Sequence, residues 1–231
     1  MTVQPSPYAE LYRSTLEDAA SSGQAIMGKM VMAVRKSLQD RLSTSRDLRE
    51  RDVHEASLKL LHSHELALGQ QYPQVLLATF GGPVQSVKAP VPRMAELQFD
   101  QLELMDEAQV QESVNMARAQ QMALLAAEAS LAELNPLICA ALGLTTVRPE
   151  RNPLRPDVYL QALKTVMERT SVPAAVRLDW RTTMGVALGG ELRELYVRLA
   201  ARLRVQGVVA VGFSVVTSPG GANVGKSGSA R

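Results

Sequence analysis

The chain has 231 residues, 46% of them hydrophobic, which is enough apolar side chain to bury a core and too much for a disordered protein. Aromatic residues make up only 4%, so the core must be filled by Leu, Ala, Val and Met, a mixture typical of closely packed helices. The single cysteine, Cys139, excludes an internal disulfide, and the apolar residues around it predict a small core residue.

The formal net charge of +2 is unevenly distributed along the chain. Residues 1–80 carry nine basic and nine acidic side chains, residues 81–146 carry three and eight, and residues 147–231 carry thirteen and six. The basic third could form a surface for an acidic partner such as nucleic acid. Alternatively, acidic and basic segments pack against each other in one bundle, which is the interpretation we favour.

The first 80 residues predict a long helical hairpin. Residues 1–7 hold two prolines and are interpreted as a loose arm, and apolar residues recur at helical intervals from Tyr8 onward. Ser21-Ser22-Gly23 predicts a kink or break, because serine competes for backbone hydrogen bonds and glycine weakens a helix. Residues 43–45 supply N-cap candidates for a second helix, which we expect to reach about Tyr72.

Proline and glycine mark where the hairpin ends. Pro73 predicts a bend, and Gly81-Gly82-Pro83 predicts the end of the second helix. Residues 81–93 hold three prolines and few large apolar side chains, so they are interpreted as an exposed linker.

Residues 94–207 predict a small helical bundle. Asp106 and Gln109 resemble a capping box that opens a helix reaching about Leu134. The apolar positions that define this helix are Val110, Val114, Ala117, Met122, Leu125 and Ala129. Asn135-Pro136 predicts that the chain restarts into a short apolar helix ending near Gly143.

Two more helices complete the predicted bundle. Pro156 is well placed as the first residue of a helix that reaches Arg169. Pro173 opens another, which Gly189-Gly190 could interrupt before a last helix ends at Gly207. One face of that last helix carries Leu192, Leu195, Leu199 and Leu203. Residues 208–231 hold an apolar run and a flexible, Gly/Ser-rich tail, so the predicted fold class is all-α.

The start of the chain lacks the basic-then-apolar pattern of a secretory signal. The apolar run from Val208 to Val216 is far too short to cross a membrane. We therefore expect a cytoplasmic protein without a membrane span.

Three segments carry a family resemblance: residues 104–114, which open with Leu-Met-Asp-Glu-Ala, residues 152–163, which open with Asn-Pro-Leu-Arg-Pro, and residues 190–199, which open with Gly-Glu-Leu-Arg-Glu. In this order they resemble a proteobacterial family, domain-of-unknown-function family 1631, whose members often carry the label thymidine phosphorylase. The hairpin is similar to that family's amino-terminal part. The resemblance implies a bacterial protein with a helical fold, and it supplies no catalytic residues.

Members of this family are usually much longer, and some end in a module similar to the cyclic-di-GMP-binding PilZ domain. This chain shows no sequence sign of that module. We expect it to correspond to an amino-terminal piece of the family architecture or to a short variant.

One sequence motif matches the consensus pattern of a phosphate-binding loop, or P-loop. Gly220, Gly225, Lys226 and Ser227 satisfy the P-loop spacing and follow a strand-like run. A P-loop needs a helix directly after it, whose free N–H groups hold the phosphate. Only four residues remain after Ser227, so nucleotide binding by this tail is the least favoured alternative.

No other pattern predicts catalysis, and we expect the chain not to be an enzyme. His62 and His64 point to different sides of a helix, and His54 lies two turns from His62, so no metal site is predicted. Cys139 has no histidine partner indicated by the sequence, and no Gly-x-Ser-x-Gly elbow is present. We predict neither catalytic residues nor a metal nor a cofactor.

A candidate basic surface lies on the last predicted helix. Arg193, Arg198, Arg202 and Arg204 lie away from its leucine face, and Glu194 is spaced to pair with Arg198. Aromatic residues that would stack on bases are nearly absent nearby. Our first hypothesis is therefore an adaptor or regulatory domain that acts through protein contacts or self-association. Nucleic-acid binding through the basic third is the alternative, and the sequence does not identify a small-molecule ligand.

Overall fold

Six α-helices make up the fold in residues 7–82 and 107–212, which a computed structural model of the chain describes. Within those two ranges the only pairing of β type is an isolated bridge between Thr146 and Gly212, so the predicted all-α class is confirmed. A short 3-10 helix, Pro149–Arg151, precedes α5. The α-helices are α1 (Ala9–Ser21), α2 (Gly23–Thr44), α3 (Leu48–Gly81), α4 (Glu107–Ala141), α5 (Pro156–Glu168) and α6 (Ala174–Val205).

The predicted hairpin is confirmed as α2 packed against α3. The predicted break separates α1 from α2 at Ser22, whose hydroxyl donates to the Asp18 carbonyl at 2.8 Å. The predicted N-cap was wrong, because the Asp47 side chain caps α3 by accepting from the Arg49 N–H at 2.9 Å. A carboxylate in this position satisfies one of the free N–H groups of the first turn and complements the helix dipole.

Two prolines lie inside helices. The restart predicted at Asn135-Pro136 was wrong, and so was the expected end of the second helix near Tyr72, whereas the end predicted at Gly81-Gly82-Pro83 is confirmed. α3 continues through Pro73 to Gly81, and α4 continues through Pro136 to Ala141. Each proline removes one hydrogen bond of its helix. The buried neighbours Leu76 and Ile138 show why both helices persist: packing of the following turn into the core outweighs that local loss. α4 ends where predicted, with Gly143 at a φ of 78°.

The start of α5 at Pro156 is confirmed, and so is the end of α6 before Gly207, which has a φ of 81°. The predicted interruption at Gly189-Gly190 was wrong, since α6 is continuous. A β-carbon placed on Gly189 would lie 2.7 Å from the β-carbon of Ala126. The glycine therefore permits close contact between α6 and α4 and does not end the helix.

One core cluster contains buried residues from all six helices, and α4 with α6 is its most extensive helix pair. The indole N–H of Trp180 on α6 donates to the Ser57 hydroxyl of α3 at 2.9 Å. The Tyr72 hydroxyl donates to the Tyr159 carbonyl at 3.1 Å. These buried bonds join the hairpin to the later helices. The predicted boundary falls at residues 81–93, most of which lie outside the described ranges, and so does the tail from residue 213 onward.

Candidate functional site

The outer face of α4 carries several exposed large apolar side chains. Val114, Met122 and Leu125 lie on it, with 55%, 45% and 60% of their surface exposed. Leu124 is 45% exposed but lies on the other flank of the helix, where it lines a cavity next to α5. We call this surface, from Val114 to Ala132, the α4 outer face.

The inner face of α4 explains why large side chains point outward. Ala119, Ala123 and Ala127 recur every fourth residue and are buried. They pack toward α6, where a β-carbon on Gly185 would lie 2.6 Å from that of Ala119. Small residues on both helices bring the two backbones close together, so this interface has no room for Met122 or Leu125.

The sequence pattern did not distinguish these two faces of α4. The apolar positions chosen to define the helix include Val114, Met122 and Leu125, all of which the structure exposes. A usable signal was present in the four-residue spacing of Ala119, Ala123 and Ala127. It matches the spacing of Gly185 and Gly189, and matched small residues are typical of closely packed helices.

Few charges interrupt the α4 outer face. Between Val114 and Ala141 the charged residues of α4 are Arg118, Glu128 and Glu133. Glu133 accepts from Arg204 of α6 at 3.0 Å. Among the side chains that the structure describes, which leave out those of residues 107–113 and 116, the exposed side chains of Arg118 and Glu128 take part in no hydrogen bond or ion pair.

The same helix meets a simple test for a membrane span. The segment Ala117–Ala141 is long and apolar enough to cross a membrane by length and composition, and half of its most apolar window is buried inside the molecule. A core helix of a soluble protein passes this test too, so it is weak evidence for a span. The predicted absence of a span stays a prediction.

The structure places the candidate basic surface next to acidic and polar groups. Arg202 contacts Asp18 and Ser14 of α1 at 2.9 and 2.8 Å, and Arg204 pairs with Glu133. The side chain of Arg193 is exposed. Arg198 contacts Ser22, so three of the four arginines contact other residues of the fold.

The expected pair between Glu194 and Arg198 does not form. Arg198 donates to the Ser22 hydroxyl at 2.6 Å, and Glu194 lies 3.3 Å from the ammonium group of Lys29. Both side chains turn toward α2 and the turn before it, because partners on a neighbouring helix are within reach. Sequence spacing along α6 cannot reveal such partners.

The histidines and the cysteine have local partners. His62 lies 3.3 Å from Glu65, and His64 Nδ1 lies 3.0 Å from the Leu60 carbonyl. Within the described ranges no group of three or more His, Cys, Asp or Glu residues could hold a metal ion. Cys139 is buried, as predicted, and burial raises the pKa of its thiol despite an N–H from Arg148 at 3.2 Å from the sulfur.

Two concave sites complete the description. A cleft of about 280 Å³ between α2 and α3 has Met32 and Leu66 on its walls and the ion pair of Arg35 with Glu65 at one side. A cavity of about 230 Å³ where α4 meets the start of α5 contains the ion pair of Arg155 with Asp157 at 3.1 Å. In both, each charge faces an opposite charge of the same site, and the buried Nε of Arg155 has no hydrogen-bond partner among the described residues. The P-loop-like residues 220–227 lie outside the described ranges.

Comparison with known proteins gives a family and no activity. A family model described as the N-terminal domain of a protein of unknown function, DUF1631, matches residues 8–207. No curated protein and no solved structure gives a significant match to the chain. The matched residues include α1 to α6 and the three segments on which the resemblance was based, so that resemblance is confirmed. The chain therefore belongs to the DUF1631 family of proteins of unknown function, and residues 8–207 match its N-terminal domain.

Proposed function

We propose that the chain is a non-catalytic cytoplasmic adaptor or regulatory domain that acts through protein–protein contacts on the α4 outer face. The observation that carries this proposal is the exposure of Val114, Met122 and Leu125 along one side of α4. Single exposed apolar residues are ordinary, whereas a contiguous apolar patch is typical of an interaction surface. The matching partner is another polypeptide with an apolar helix face.

The α4 helix is suited to this role because its inner face fixes its position. Close packing of Ala119 and Ala123 against Gly185 and Gly189 holds α4 on α6. The outer face is therefore presented by a rigid element, which reduces the ordering cost of binding. Buried apolar area at the centre of such a face, around Met122 and Leu125, would supply most of the binding free energy.

A cross-linking experiment tests the proposal. The full chain, the Leu125→Glu variant and the matched control Leu66→Glu, whose leucine is 70% exposed on α3, are cross-linked in bacterial lysate. A protein identified by mass spectrometry, or a second copy of the chain, should bind the purified wild type and the control but not Leu125→Glu. If neither a second copy nor any purified partner binds in an Leu125-dependent way, the proposed function is wrong.

Nucleic-acid binding through the basic third has less support. Arg198, Arg202 and Arg204 already contact groups of the fold, which leaves Arg193 as the one residue of the candidate basic surface without such a contact in the described ranges. Titration with duplex DNA, single-stranded DNA and RNA at low salt tests this alternative, since phosphate contacts give strongly salt-dependent affinity. Calorimetry with ATP and GTP, with and without residues 218–231, tests the tail.

A further inference from the structure

The α4 outer face has a central line of residues with the spacing of a helix–helix seam. Val114, Arg118, Leu125, Ala129 and Ala132 fall along this line, and Gln121 and Met122 lie on either side of it. From Val114 to Ala132 the line is about 27 Å long at the rise of an α-helix. That length matches a helical partner lying along α4 better than a small apolar ligand.

The two charges on this face have opposite signs and lie toward opposite ends. Arg118 precedes the pair Met122 and Leu125, and Glu128 follows it, with a separation of ten residues, or about 15 Å along the helix. Neither side chain has an ion-pair partner in the described part of the chain. The face thus presents a basic end, an apolar centre and an acidic end.

We propose that the partner of this face is the α4 outer face of a second copy of the chain, packed antiparallel about a twofold axis between Met122 and Leu125. A twofold axis at this point pairs position 118 of one copy with position 129 of the other, next to Glu128. Each Arg118 then lies beside the Glu128 of the second copy, and the two apolar centres cover each other. Twofold pairs of this kind need a self-complementary surface, and this face is one.

A parallel pairing of the same faces conflicts with the charges. In that pairing Arg118 faces Arg118 of the second copy, and Glu128 faces Glu128 of the second copy. Like charges in contact are destabilising. The charge order along α4 therefore favours the antiparallel arrangement. This inference rests on the proposed function, and it specifies both the partner and the orientation.

Analytical ultracentrifugation and light scattering of the full chain over a range of concentrations test the proposal. One chain has a mass of 25.0 kDa. The wild type should reach twice this mass. Leu125→Glu should remain at the mass of one chain, because it places two carboxylates at the apolar centre. Leu66→Glu on α3 is the matched control and should dimerise like the wild type.

Charge reversal tests the orientation. Arg118→Glu and Glu128→Arg should each weaken dimerisation roughly tenfold or more, because each places like charges in contact. The double variant Arg118→Glu/Glu128→Arg should recover most of the wild-type affinity. Circular dichroism of every variant checks that the helix content is unchanged. The four substituted positions, 66, 118, 125 and 128, are exposed, so we expect folding to be preserved.

Several results would overturn the inference. A wild type that stays at the mass of one chain at all concentrations rules out self-association, and the proposed function then survives only if Leu125→Glu abolishes binding of a different purified partner. A dimer that Leu125→Glu leaves intact places the contact elsewhere. In a parallel pair Arg118→Glu would only replace one pair of like charges with another, so dimerisation that this variant leaves unchanged would contradict the antiparallel arrangement.

Discussion

Burial changes the ionisation of four tyrosines among the described residues. Tyr72, Tyr159 and Tyr196 are fully buried, and burial raises the pKa of each phenol well above its ordinary value of 10.0. Burial, reinforced by the neighbouring Cys139, raises the pKa of Tyr12 to about 12. In the folded chain these four hydroxyls therefore hold their protons at a pH where they would lose them in water.

We predict that the protein is unfolded by alkali above pH 10. A raised native pKa means that the unfolded state loses its protons first, so stability is fully present below pH 10 and falls as the pH rises further. With the three fully buried tyrosines, the free energy of unfolding should fall by about 4 kcal/mol per pH unit. Tyrosinate absorbance at 295 nm should rise together with the loss of the far-UV circular dichroism signal.

The guanidinium-unfolded chain is the control for this titration, and its tyrosines should ionise near pH 10 without a cooperative step. If the folded chain instead showed most of its tyrosinate absorbance near pH 10 with its helix signal intact, the burial of these phenols would be contradicted.

The bond between Trp180 and Ser57 gives a second prediction at the level of one residue. Both side chains are buried, and Ser57→Ala removes the partner of the indole N–H. Leaving this donor unsatisfied should lower the free energy of unfolding by about 1–3 kcal/mol, measured by urea denaturation. Ser63→Ala, at an exposed position of the same helix, should change it by less than about 0.5 kcal/mol. Equal effects of the two variants would show that the buried bond contributes nothing.

Among the helices, the contact of α4 with α6 has the strictest steric requirement. A β-carbon on Gly189 would lie 2.7 Å from the β-carbon of Ala126 and 2.9 Å from the α-carbon of Ala123. One on Gly190 would meet nothing within 4 Å. The two neighbouring glycines of one helix thus differ in packing alone.

We predict opposite effects of the same substitution at these two positions. Gly189→Ala should destabilise the protein by about 1–3 kcal/mol, because the added methyl group forces α6 away from α4. Gly190→Ala should stabilise it by about 0.5–1 kcal/mol through better helix propensity. Thermal and urea denaturation of the pair measure the difference. If both variants were stabilised, the close approach of α4 and α6 would be wrong.

Helix ends were predictable from the sequence where a residue needs a special backbone conformation. Gly143 and Gly207 adopt positive φ values at the ends of α4 and α6, and Pro156 begins α5 as its fixed φ favours. Pro73 and Pro136 did not mark helix ends, because α3 and α4 continue through them. Their local cost of about 3 kcal/mol is overcome by burial of neighbouring side chains, which a sequence window does not contain.

The candidate interaction surface was only partly predictable. Contacts on apolar helix faces were expected, but the sequence did not show which face of α4 is free. Leu125 and Ala123 are both apolar, and helical periodicity does not say which of them lies inside. The small residues of α6 decide this, and they lie more than fifty positions further along the chain.

In the whole molecule, opposite charges from distant segments meet. Arg202 of α6 contacts Asp18 of α1, and Arg41 of α2 contacts Asp179 of α6 at 2.8 Å. Both pairs join the first 80 residues, which are neutral overall, to the basic third, whereas the pair of Arg204 with Glu133 joins the basic third to the acidic segment, as the interpretation requires. Exposed pairs of this kind contribute at most about 1 kcal/mol each, so the shared apolar core must hold the two parts of the chain together.

A single core predicts a single unfolding transition. The core cluster contains residues of all six helices. Trp180, the only tryptophan, belongs to α6 and contacts Ser57 of α3. Its fluorescence therefore reports contact between the predicted hairpin, residues 1–80, and the predicted bundle, residues 94–207. We expect fluorescence and far-UV circular dichroism to give the same urea midpoint, as in two-state unfolding.

Matched cavity variants in the two parts sharpen this test. Leu38 of α2 and Leu188 of α6 are both buried, and replacing either with alanine should lower the free energy of unfolding by about 2–5 kcal/mol. If the chain unfolds as one unit, each variant moves both signals together, whichever part it lies in. If the hairpin and the bundle were independent domains, Leu38→Ala would lower the stability of the hairpin alone and the circular dichroism curve would separate into two steps. The unfolding curves of these two variants thus decide whether residues 1–80 and 94–207 are two domains or one.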